Sequence, residues 1–284
     1  MEILGTVEEL RQWSRAQRCD HANGAGIALV PTMGALHAGH ASLIRAAAGS
    51  RSGSVAVSIF VNPTQFGPNE DFARYPRTFS ADCALAEQEG ASVIFAPSVE
   101  EMYPAGAATI VDVEALSDRL DGASRPGHFR GVATVVAKLM IAAEPDLAFF
   151  GQKDAAQVAV LRRMVDDLRL DTKIVVCPIV REPDGLALSS RNVYLNAAER
   201  KQALALSRAI DCGQKLVASG ERRSNSLIEA ARAVFAEQSA IRVDYIELVD
   251  WATLWPVLAA TPGTLFAVAA WVGATRLIDN TVIG

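Results

Sequence analysis

The sequence predicts an α/β fold in which helices cover both faces of a parallel sheet, followed by a smaller α+β domain. Through the first two thirds of the chain, near-continuous apolar runs typical of strands buried on both faces alternate with helical patterns. The last third instead has two long helical patterns followed by strands, which is typical of an α+β domain. We therefore expect a Rossmann-like domain over residues 1–183 and a smaller C-terminal domain over residues 184–284.

Hydrophobic patterning places the elements of the first domain. The predicted strands are Ile27–Val30, Val55–Val61, Val93–Ala96, Leu147–Phe150 and Lys173–Val180. The predicted helices are Ala38–Ala48, Ala81–Glu89, Val132–Ala143 and Ala155–Leu168. Ligands of parallel sheets bind outside the carboxyl ends of the strands, so we expect a site in the segments that follow these strands.

A turn at residues 181–185 precedes the elements of the second domain. Its Pro183 and its Asp-Gly pair are typical of a turn, and we interpret the segment as a hinge. The elements predicted beyond it are the helices Ala197–Ser219 and Ser226–Gln238 and the strands Val243–Val249, Leu265–Trp271 and Arg276–Asn280.

Composition narrows the class of protein. The 284 residues carry a net charge of −5, so no overall basic field favours nucleic acid or a membrane surface as partner. The four cysteines lack CxxC spacing, which favours reduced thiols over disulfides or a zinc site. The uncharged stretch 257–274 is interrupted by Thr-Pro-Gly-Thr and falls short of the roughly 20 apolar residues of a membrane helix. We expect a soluble, cytoplasmic protein.

Two histidines, His37 and His40, follow the first predicted strand. Pro31 is expected to end the hydrogen bonding of that strand because it lacks an N–H group, and Gly34 permits a turn. Both histidines then lie near a helix N-terminus, where N–H groups and the macrodipole attract anions. Gly39 lets a ligand approach the backbone closely. The pattern predicts a polyphosphate site; the alternatives are two solvated histidines or half of a metal site.

Polar amides follow the second predicted strand. Asn62 and Gln65 can each donate and accept hydrogen bonds, which suits a small molecule with hydroxyl and carboxylate groups. The alternative is an Asn-Pro turn with a solvated glutamine.

Lys153 comes directly after the strand predicted at residues 147–150. Its compact positive charge suits phosphate oxygens. Asp154 can cap the following helix or accept from a ribose hydroxyl, and Gln157 is one turn further on. A surface Lys-Asp pair is the alternative.

Two further loops carry basic residues. Ser189, Ser190 and Arg191 lie after the predicted hinge, where two hydroxyls and a guanidinium can fold over a triphosphate. An ordinary serine-rich turn is the alternative. The segment 125–131, with two arginines and a histidine, could face an acidic substrate or a partner subunit, but the sequence slightly favours a surface loop.

Taken in order, these segments resemble the pantoate–β-alanine ligase family of the HxGH nucleotidylyltransferase superfamily. The resemblance is carried by PTMGALHAGH at 31–40, VSIFVNPTQFGPNEDFARYPRT at 57–78, GHFRGVATVVAKL at 127–139, FFGQKDAAQ at 149–157, VREPDGLALSSRNVYL at 180–195 and RLIDN at 276–280. It implies an enzyme that uses ATP to convert pantoate into pantoyl adenylate with loss of pyrophosphate. Attack by β-alanine then yields pantothenate and AMP.

The resemblance also implies roles for single residues. Those implied to bind ATP are Met33, Gly34, Ala35, Leu36, His37, Ala38, Gly39, His40, Gly151, Gln152, Lys153, Asp154, Val180, Leu188, Ser189, Ser190 and Arg191. Those implied to bind pantoate or β-alanine are Gln65 and Gln157, with Asn62, Val135 and Val136 expected to line the same pocket. Gln152 stands where Glu is frequent in the family. A homodimer is implied as well.

Elementary chemistry divides the catalytic roles. A carboxylate with a pKa of about 4 is ionised at pH 7, so the first step needs no general base. It needs alignment on the α-phosphate and stabilisation of charge, which we expect from His37, His40, Lys153 and Arg191, with Mg²⁺ held mainly by the ATP phosphates. The second step must take a proton from β-alanine, and the sequence leaves water or His40 as the acceptor.

Other functions remain to be distinguished. Another HxGH nucleotidylyltransferase would need extra basic residues for a substrate phosphate, where this chain has amides. A non-catalytic ATP sensor would bind ATP without turning it over. A zinc protein is disfavoured because no cysteine or acidic ligand has usable spacing from the two histidines.

Overall fold

This computed structural model describes residues 1–20, 26–68, 70 and 72–284 of the chain. Residues 69 and 71 of the motif at 57–78 lie outside it. The strands are β1 (Glu2–Leu4), β2 (Gly26–Thr32), β3 (Ser52–Ile59), β4 (Val93–Phe95), β5 (Leu147–Gly151), β6 (Lys173–Cys177), β7 (Ile241–Asp250), β8 (Thr264–Val272) and β9 (Thr275–Val282). The helices are α1 (Val7–Asp20), α2 (Ala38–Ala48), α3 (Phe79–Gln88), α4 (Val99–Met102), α5 (Asp121–Ser124), α6 (His128–Ala143), α7 (Ala155–Leu168), α8 (Ala197–Ala218) and α9 (Ser224–Ala236).

The first six strands form one parallel sheet in the order β1-β4-β3-β2-β5-β6. The predicted parallel sheet is thus confirmed. The chain runs outward from β2 through β3 to β4, then returns to add β5 on the other side of β2. The order therefore reverses between β2 and β5, and such a switch point is where open parallel sheets bind ligands.

Pro31 does not end its strand, contrary to the sequence prediction. β2 continues to Thr32, whose carbonyl accepts from the N–H of Phe60 at 3.1 Å. Backbone groups of successive strand residues face opposite sides, so the nitrogen of Pro31 faces away from β3, towards β5. Because β5 pairs only with Ala28 and Leu29, no ladder bond is lost at the proline.

Two other boundaries differ for local reasons. The strand predicted to reach Val180 ends at Cys177, because Pro178 cannot donate to a ladder. The N-terminal β1 and α1 were not predicted at all. Thr6 and Glu9 begin α1 with a capping box, in which Thr6 Oγ1 accepts from the N–H of Glu9 and the Glu9 carboxylate accepts from the N–H groups of Gly5 and Thr6.

By its contacts the chain divides into two compact units. The first contains Met1–Gly151 and Val160–Cys177, and the second contains Gln152–Ala159 and Pro178–Gly284. The domain boundary between residues 183 and 184 stays a prediction. None of the described helices is long and apolar enough to cross a membrane.

In the second unit, α8 and α9 pack on the antiparallel sheet β7-β8-β9, as the predicted α+β order requires. Phe266 and Val268 of β8 lie in its core with Leu206 and Ile210 of α8, all at most 1% exposed. Gly213 of α8 lets the helix approach the sheet, because a Cβ there would lie 2.3 Å from the ring of Phe266.

We predict that Gly213→Ala destabilises the protein. In an exposed helix this change gains about 1 kcal/mol, but here the added methyl overpacks the core and is expected to cost about 1–3 kcal/mol. Chemical denaturation measures the free energy of unfolding. The double variant with Phe266→Leu should lose less than the sum of the two single variants; additive losses would contradict the proposed close contact.

Candidate active site

Side chains accept hydrogen bonds from several backbone N–H groups where the turn after β2 leads into α2. Asp82 of α3, 3% exposed, accepts from Ala35 N at 2.9 Å and from Leu36 N at 2.8 Å. His40 Nδ1 accepts from the N–H of His37 at 3.3 Å, and His37 Nδ1 accepts from the N–H of Gly39 at 3.1 Å. The two histidines thus cap the N-terminus of α2.

These caps determine the tautomer of both rings. A ring nitrogen that accepts a hydrogen bond carries a lone pair, so each neutral imidazole has its proton on Nε2. The ring centroids of His37 and His40 are 4.1 Å apart. The N-terminus of α2 therefore carries two neighbouring imidazole N–H donors in addition to its own macrodipole.

Two glycines make this turn possible. Gly34 has φ +83° and Ala35 has φ +51°, both in the left-handed region. At Gly39 a Cβ would lie 2.8 Å from Cε1 of His37, so a larger residue would displace the capping ring. The turn predicted at Gly34 is present, and Gly39 makes room for the ring of His37.

An amide cluster lies at the 3-10 turn Pro63–Gln65. Asn62, 1% exposed, donates from Nδ2 to Gln65 Oε1 and to the carbonyl of Gly131, both at 3.1 Å. Its Oδ1 accepts from Thr64 and from the Tyr103 hydroxyl at 2.9 Å. Gln65 Nε2 donates to the sulfur of Met33 at 2.7 Å. The structure therefore brings the predicted residues Asn62, Gln65 and Met33 together.

The 125–131 segment supports this cluster and is not the surface loop that the sequence favoured. The Arg125 guanidinium donates to both carboxylate oxygens of Glu70, at 2.8 and 2.6 Å, and lies 2.9 Å from His128 Nε2. Because arginine only donates, that nitrogen accepts, and His128 Nδ1 donates to the carbonyl of Gln65 at 2.8 Å. A chain of three charged or polar side chains thus holds the backbone of Gln65.

Electrostatics keep His128 neutral. Burial and then the adjacent Arg125 lower the pKa of His128 to about 4, against the opposing effects of the Gln65 carbonyl, Asp121 and Glu70. The neutral ring can accept from Arg125 and donate to Gln65 at once, which an imidazolium cannot do.

In the second unit, the 3-10 turn Gln152–Asp154 carries Lys153, whose side chain is 22% exposed and lies 3.4 Å from Asp154 Oδ1. Asn280 of β9 donates from Nδ2 to the carbonyls of Gln152 and Lys153, at 3.0 and 2.9 Å. Gln152 Nε2 donates in return to Asn280 Oδ1 at 3.3 Å. The predicted lysine thus stands on a turn held by a buried amide.

The turn predicted as a hinge, residues 181–185, is bound into the second unit. Arg181 forms a two-point ion pair with Asp279 at 2.7 and 3.0 Å, and hydrogen bonding to that carboxylate raises the pKa of the Arg181 guanidinium. Arg200 binds Glu182 and Asp184 at 2.7 and 2.8 Å. These bonds hold the turn to its own unit.

The Ser-Arg segment is an ordered turn in the structure. Leu188 N donates to the carbonyl of Val180 at 2.9 Å, so two of the predicted ATP-binding residues are neighbours. Ser189 caps the 3-10 turn Ser190–Tyr194 by accepting from the N–H of Arg191. The serines and the arginine are all partly buried.

The other predicted residues occupy regular elements. Val135 and Val136 are 6% and 4% exposed within α6, Gly151 ends β5, and Gln157 lies in the first turn of α7, partly buried. Ala38 begins α2.

Sequence reasoning missed several supporting residues: Asp82, Glu70, Tyr103, Asp279 and the positioning contacts of Asn280. Their side chains act on backbone groups far away in sequence, and short motifs carry no signal for such contacts. The segment with Asp279 and Asn280 was predicted as a strand, and it and the segment with Glu70 otherwise entered only through the resemblance to the family.

Comparisons with known proteins point to one family. The family model for pantoate-β-alanine ligase matches residues 2–282. The pantothenate synthetase of Acidobacterium capsulatum is 60% identical over 284 residues, which are 100% of this chain and 95% of that protein. That of Thermotoga neapolitana is 52% identical over 284 residues and 100% of both chains.

Solved structures that resemble this chain belong to the same family. A pantothenate synthetase from Thermus thermophilus matches with a TM-score of 0.91 at 43% identity, covering 99% of each chain. A pantoate-β-alanine ligase from Francisella tularensis, solved in complex with beta-gamma ATP and β-alanine, matches with a TM-score of 0.78 at 32% identity. That match covers 99% of this chain and 97% of the other.

We predict that Asp82→Asn lowers ATP-dependent pyrophosphate release by about 100-fold, the scale of losses from misplaced catalytic groups. The amide nitrogen of Asn cannot accept, so Ala35 or Leu36 loses its acceptor and the turn shifts. Steady-state kinetics measure the loss. Glu89→Gln is a suitable control, since Glu89 pairs with Arg45 of α2 at 2.7 Å and does not bind the turn; equal losses in both variants would contradict the prediction.

We also predict an acid-sensitive stability due to His128. The folded-state pKa of about 4 lies below the ordinary 6.5, so the unfolded state binds the proton first. The free energy of unfolding therefore falls between pH 6.5 and pH 4, by up to roughly 3 kcal/mol at about 1.4 kcal/mol per pKa unit. Denaturant unfolding of the wild type and of His128→Gln at both pH values measures this, and parallel pH dependences would show that His128 contributes nothing.

Proposed function

The chain belongs to the pantoate–β-alanine ligase family, and from that premise we propose how its residues divide the work of the reaction. The protein is a ligase that joins pantoate to β-alanine with ATP as co-substrate. In the proposed course, a pantoate carboxylate oxygen attacks the α-phosphorus and pyrophosphate leaves. The amine of β-alanine then attacks the acyl carbon of pantoyl adenylate, the bond to the AMP oxygen breaks, and pantothenate forms.

The observation that carries this proposal is the capped tautomer of His37 and His40. The first step needs no base, because the attacking carboxylate is already ionised. It needs hydrogen-bond donors for the charge that develops on the phosphates and on pyrophosphate. Two Nε2–H groups at a helix N-terminus meet that need, and we assign both histidines as donors to the ATP phosphates.

Other groups complete the ATP contacts in the proposal. Lys153 and Arg191 supply positive charge to the phosphates. The remaining proposed contacts are Met33, Gly34, Ala35, Leu36, Ala38, Gly39, Gly151, Gln152, Asp154, Val180, Leu188, Ser189 and Ser190. Among the described residues, no cluster of three or more His, Cys, Asp or Glu side chains is arranged to hold a metal. We therefore assign Mg²⁺ mainly to the phosphates of ATP, where it would neutralise charge.

Gln65 is the proposed recognition group for pantoate, together with Gln157. Its Nε2 donates to the sulfur of Met33, which is a weak acceptor. Replacing that partner by a hydroxyl or carboxylate oxygen of the substrate is favourable. Both amide hydrogens of Asn62 already serve Gln65 and Gly131, so we assign Asn62 to orienting Gln65. We propose that Val135 and Val136, which are 6% and 4% exposed, line the same pocket.

The capped rings also bear on the second step. The lone pair of His40 is on Nδ1, where it accepts from the N–H of His37. Taking up a proton there would break the cap of α2, so we assign the proton of β-alanine to water and not to His40.

The amide cluster favours this ligase over another nucleotidylyltransferase, whose phosphorylated substrate would need basic groups in place of Asn62 and Gln65. A non-catalytic ATP sensor would have no use for a pantoate site. We further propose a cytoplasmic homodimer in which residues 184–284 close as a lid, together with residues 178–183. Since residues 181–185 are bound to the second unit, we propose the hinge between Cys177 and Pro178, one of the three points at which the chain passes between the units, in place of residues 181–185.

We predict that His40→Ala lowers pantoate-dependent exchange of labelled pyrophosphate into ATP by about 100- to 1,000-fold, the typical cost of removing one donor to a developing charge. With pantoyl adenylate supplied, release of pantothenate should fall much less, because His40 is not the base. Near-normal exchange would contradict the donor role, and an equal loss in the second step would contradict the assignment to water.

Ser42→Ala is the matched control for this measurement. Ser42 lies in the same helix, and its hydroxyl donates only to the carbonyl of Gly39, at 2.7 Å. The variant is expected to keep both half-reactions.

A further inference from the structure

The segment RLIDN at 276–280 contains none of the residues assigned above to ATP, pantoate or β-alanine. All five of its residues lie on β9, an edge strand of the antiparallel sheet. β9 pairs with β8 on one side, and it also contacts the 3-10 turns Gln152–Asp154 and Ser190–Tyr194. Both turns carry residues that we assigned to ATP, so β9 is placed to act on both.

Asn280 makes the first link. It is 3% exposed, and its amide is engaged in three hydrogen bonds with Gln152 and Lys153: two from Nδ2 to their carbonyls and one from Gln152 Nε2 to its Oδ1. Since carbonyl oxygens can only accept, the amide donor is essential to the arrangement. An aspartate of the same shape would place oxygen against oxygen.

Asp279 makes the second link. It is 1% exposed and accepts hydrogen bonds from both terminal guanidinium nitrogens of Arg181. It also accepts one from the backbone N–H of Asn280 at 2.8 Å. Arg181 directly follows Val180, whose carbonyl accepts from Leu188. The ion pair therefore holds the two paired segments at Val180 and Leu188. The second of these leads into Ser189 and Arg191.

We propose that Asn280 and Asp279 are positioning residues. Through them, the strand β9 holds both the turn that carries Lys153 and the two paired segments at Val180 and Leu188. This inference rests on the proposed function, because it requires Lys153 to act on ATP. Neither residue contacts ATP in the proposal. Asn280 acts through the backbone of residues 152 and 153, and Asp279 acts through Arg181.

The first test is Asn280→Asp in the full-length enzyme. The two carbonyls lose their donor and face a carboxylate, so the lysine turn shifts. We expect about 100-fold slower pyrophosphate exchange, with a rise in the KM for ATP that exceeds any rise in the KM for pantoate. Release of pantothenate from supplied pantoyl adenylate should change less.

Thr281→Val is the matched control. Thr281 is the next residue of β9, is 8% exposed, and accepts a hydrogen bond from Gln214 at 2.7 Å instead of binding the lysine turn. It also loses a buried hydrogen bond, so it reports the effect of weakening the strand alone. Equal kinetic losses in Thr281→Val and Asn280→Asp would overturn the proposal.

A double-mutant cycle with Lys153→Ala separates positioning from a general structural effect. If Asn280 acts through Lys153, Asn280→Asp should slow the Lys153→Ala enzyme by less than threefold. The same 100-fold loss on both backgrounds would overturn the inference and leave the proposed function intact. Unchanged pyrophosphate exchange in Lys153→Ala alone would instead contradict the proposed function.

Hydrogen exchange covers the case in which Asn280→Asp does not fold. The milder Asn280→Ser loses the Nδ2 amide that donates to both carbonyls, and its short hydroxyl adds no charge. We expect faster amide exchange at residues 152–156 and unchanged exchange at residues 181–187, which Asp279 holds. Unchanged exchange at residues 152–156 would overturn the role of Asn280, and the variant Asp279→Asn should show the opposite pattern if Asp279 holds the other segments.

Discussion

The structure of the first unit depends on finding acceptors for the N–H groups at the start of α2. The first N–H groups of a helix have no partner within it, and burying them unpaired is costly. Asp82, His37 and His40 provide the acceptors. The buried carboxylate, the left-handed turn and the tautomer of both rings all follow from this requirement. Two of the groups that complete the helix, His37 and His40, are thus the groups that we propose as donors to the ATP phosphates.

The second unit solves a similar problem with different chemistry. In the lysine turn, the backbone groups that need a partner are the carbonyls of Gln152 and Lys153. Their partner must donate, and Asn280 does so. In both units, some of the residues assigned to ATP, such as Leu36 and Lys153, stand on short turns that have little regular hydrogen bonding of their own. Buried side chains from other elements give these turns their rigidity. Preorganisation of this kind is what lets hydrogen-bond donors act on developing charge without first having to move.

Elements with strong hydrophobic patterns could be predicted from the sequence. Features that depend on contacts with other elements could not. Both ends of the helix α7 were predicted correctly, because its hydrophobic pattern is regular and a polar segment precedes it. β2 ran past Pro31 because the effect of a proline depends on which neighbour its nitrogen faces. The HxGH motif predicted a phosphate site, but Asp82 was not recognised, since its role is set by contacts across 46 and 47 residues.

The contacts of Asn280 also bear on how the protein folds. They join residues 127 and 128 positions apart, and the Arg181–Asp279 pair spans 98. Contacts across such separations lose much chain entropy before they contribute energy, and topologies rich in them form slowly. We therefore expect the lysine turn to take its final form only after the three-stranded sheet has assembled. If ATP contacts this turn as proposed, it adds its binding free energy only to chains that have reached that point, and the nucleotide then stabilises the completed fold selectively.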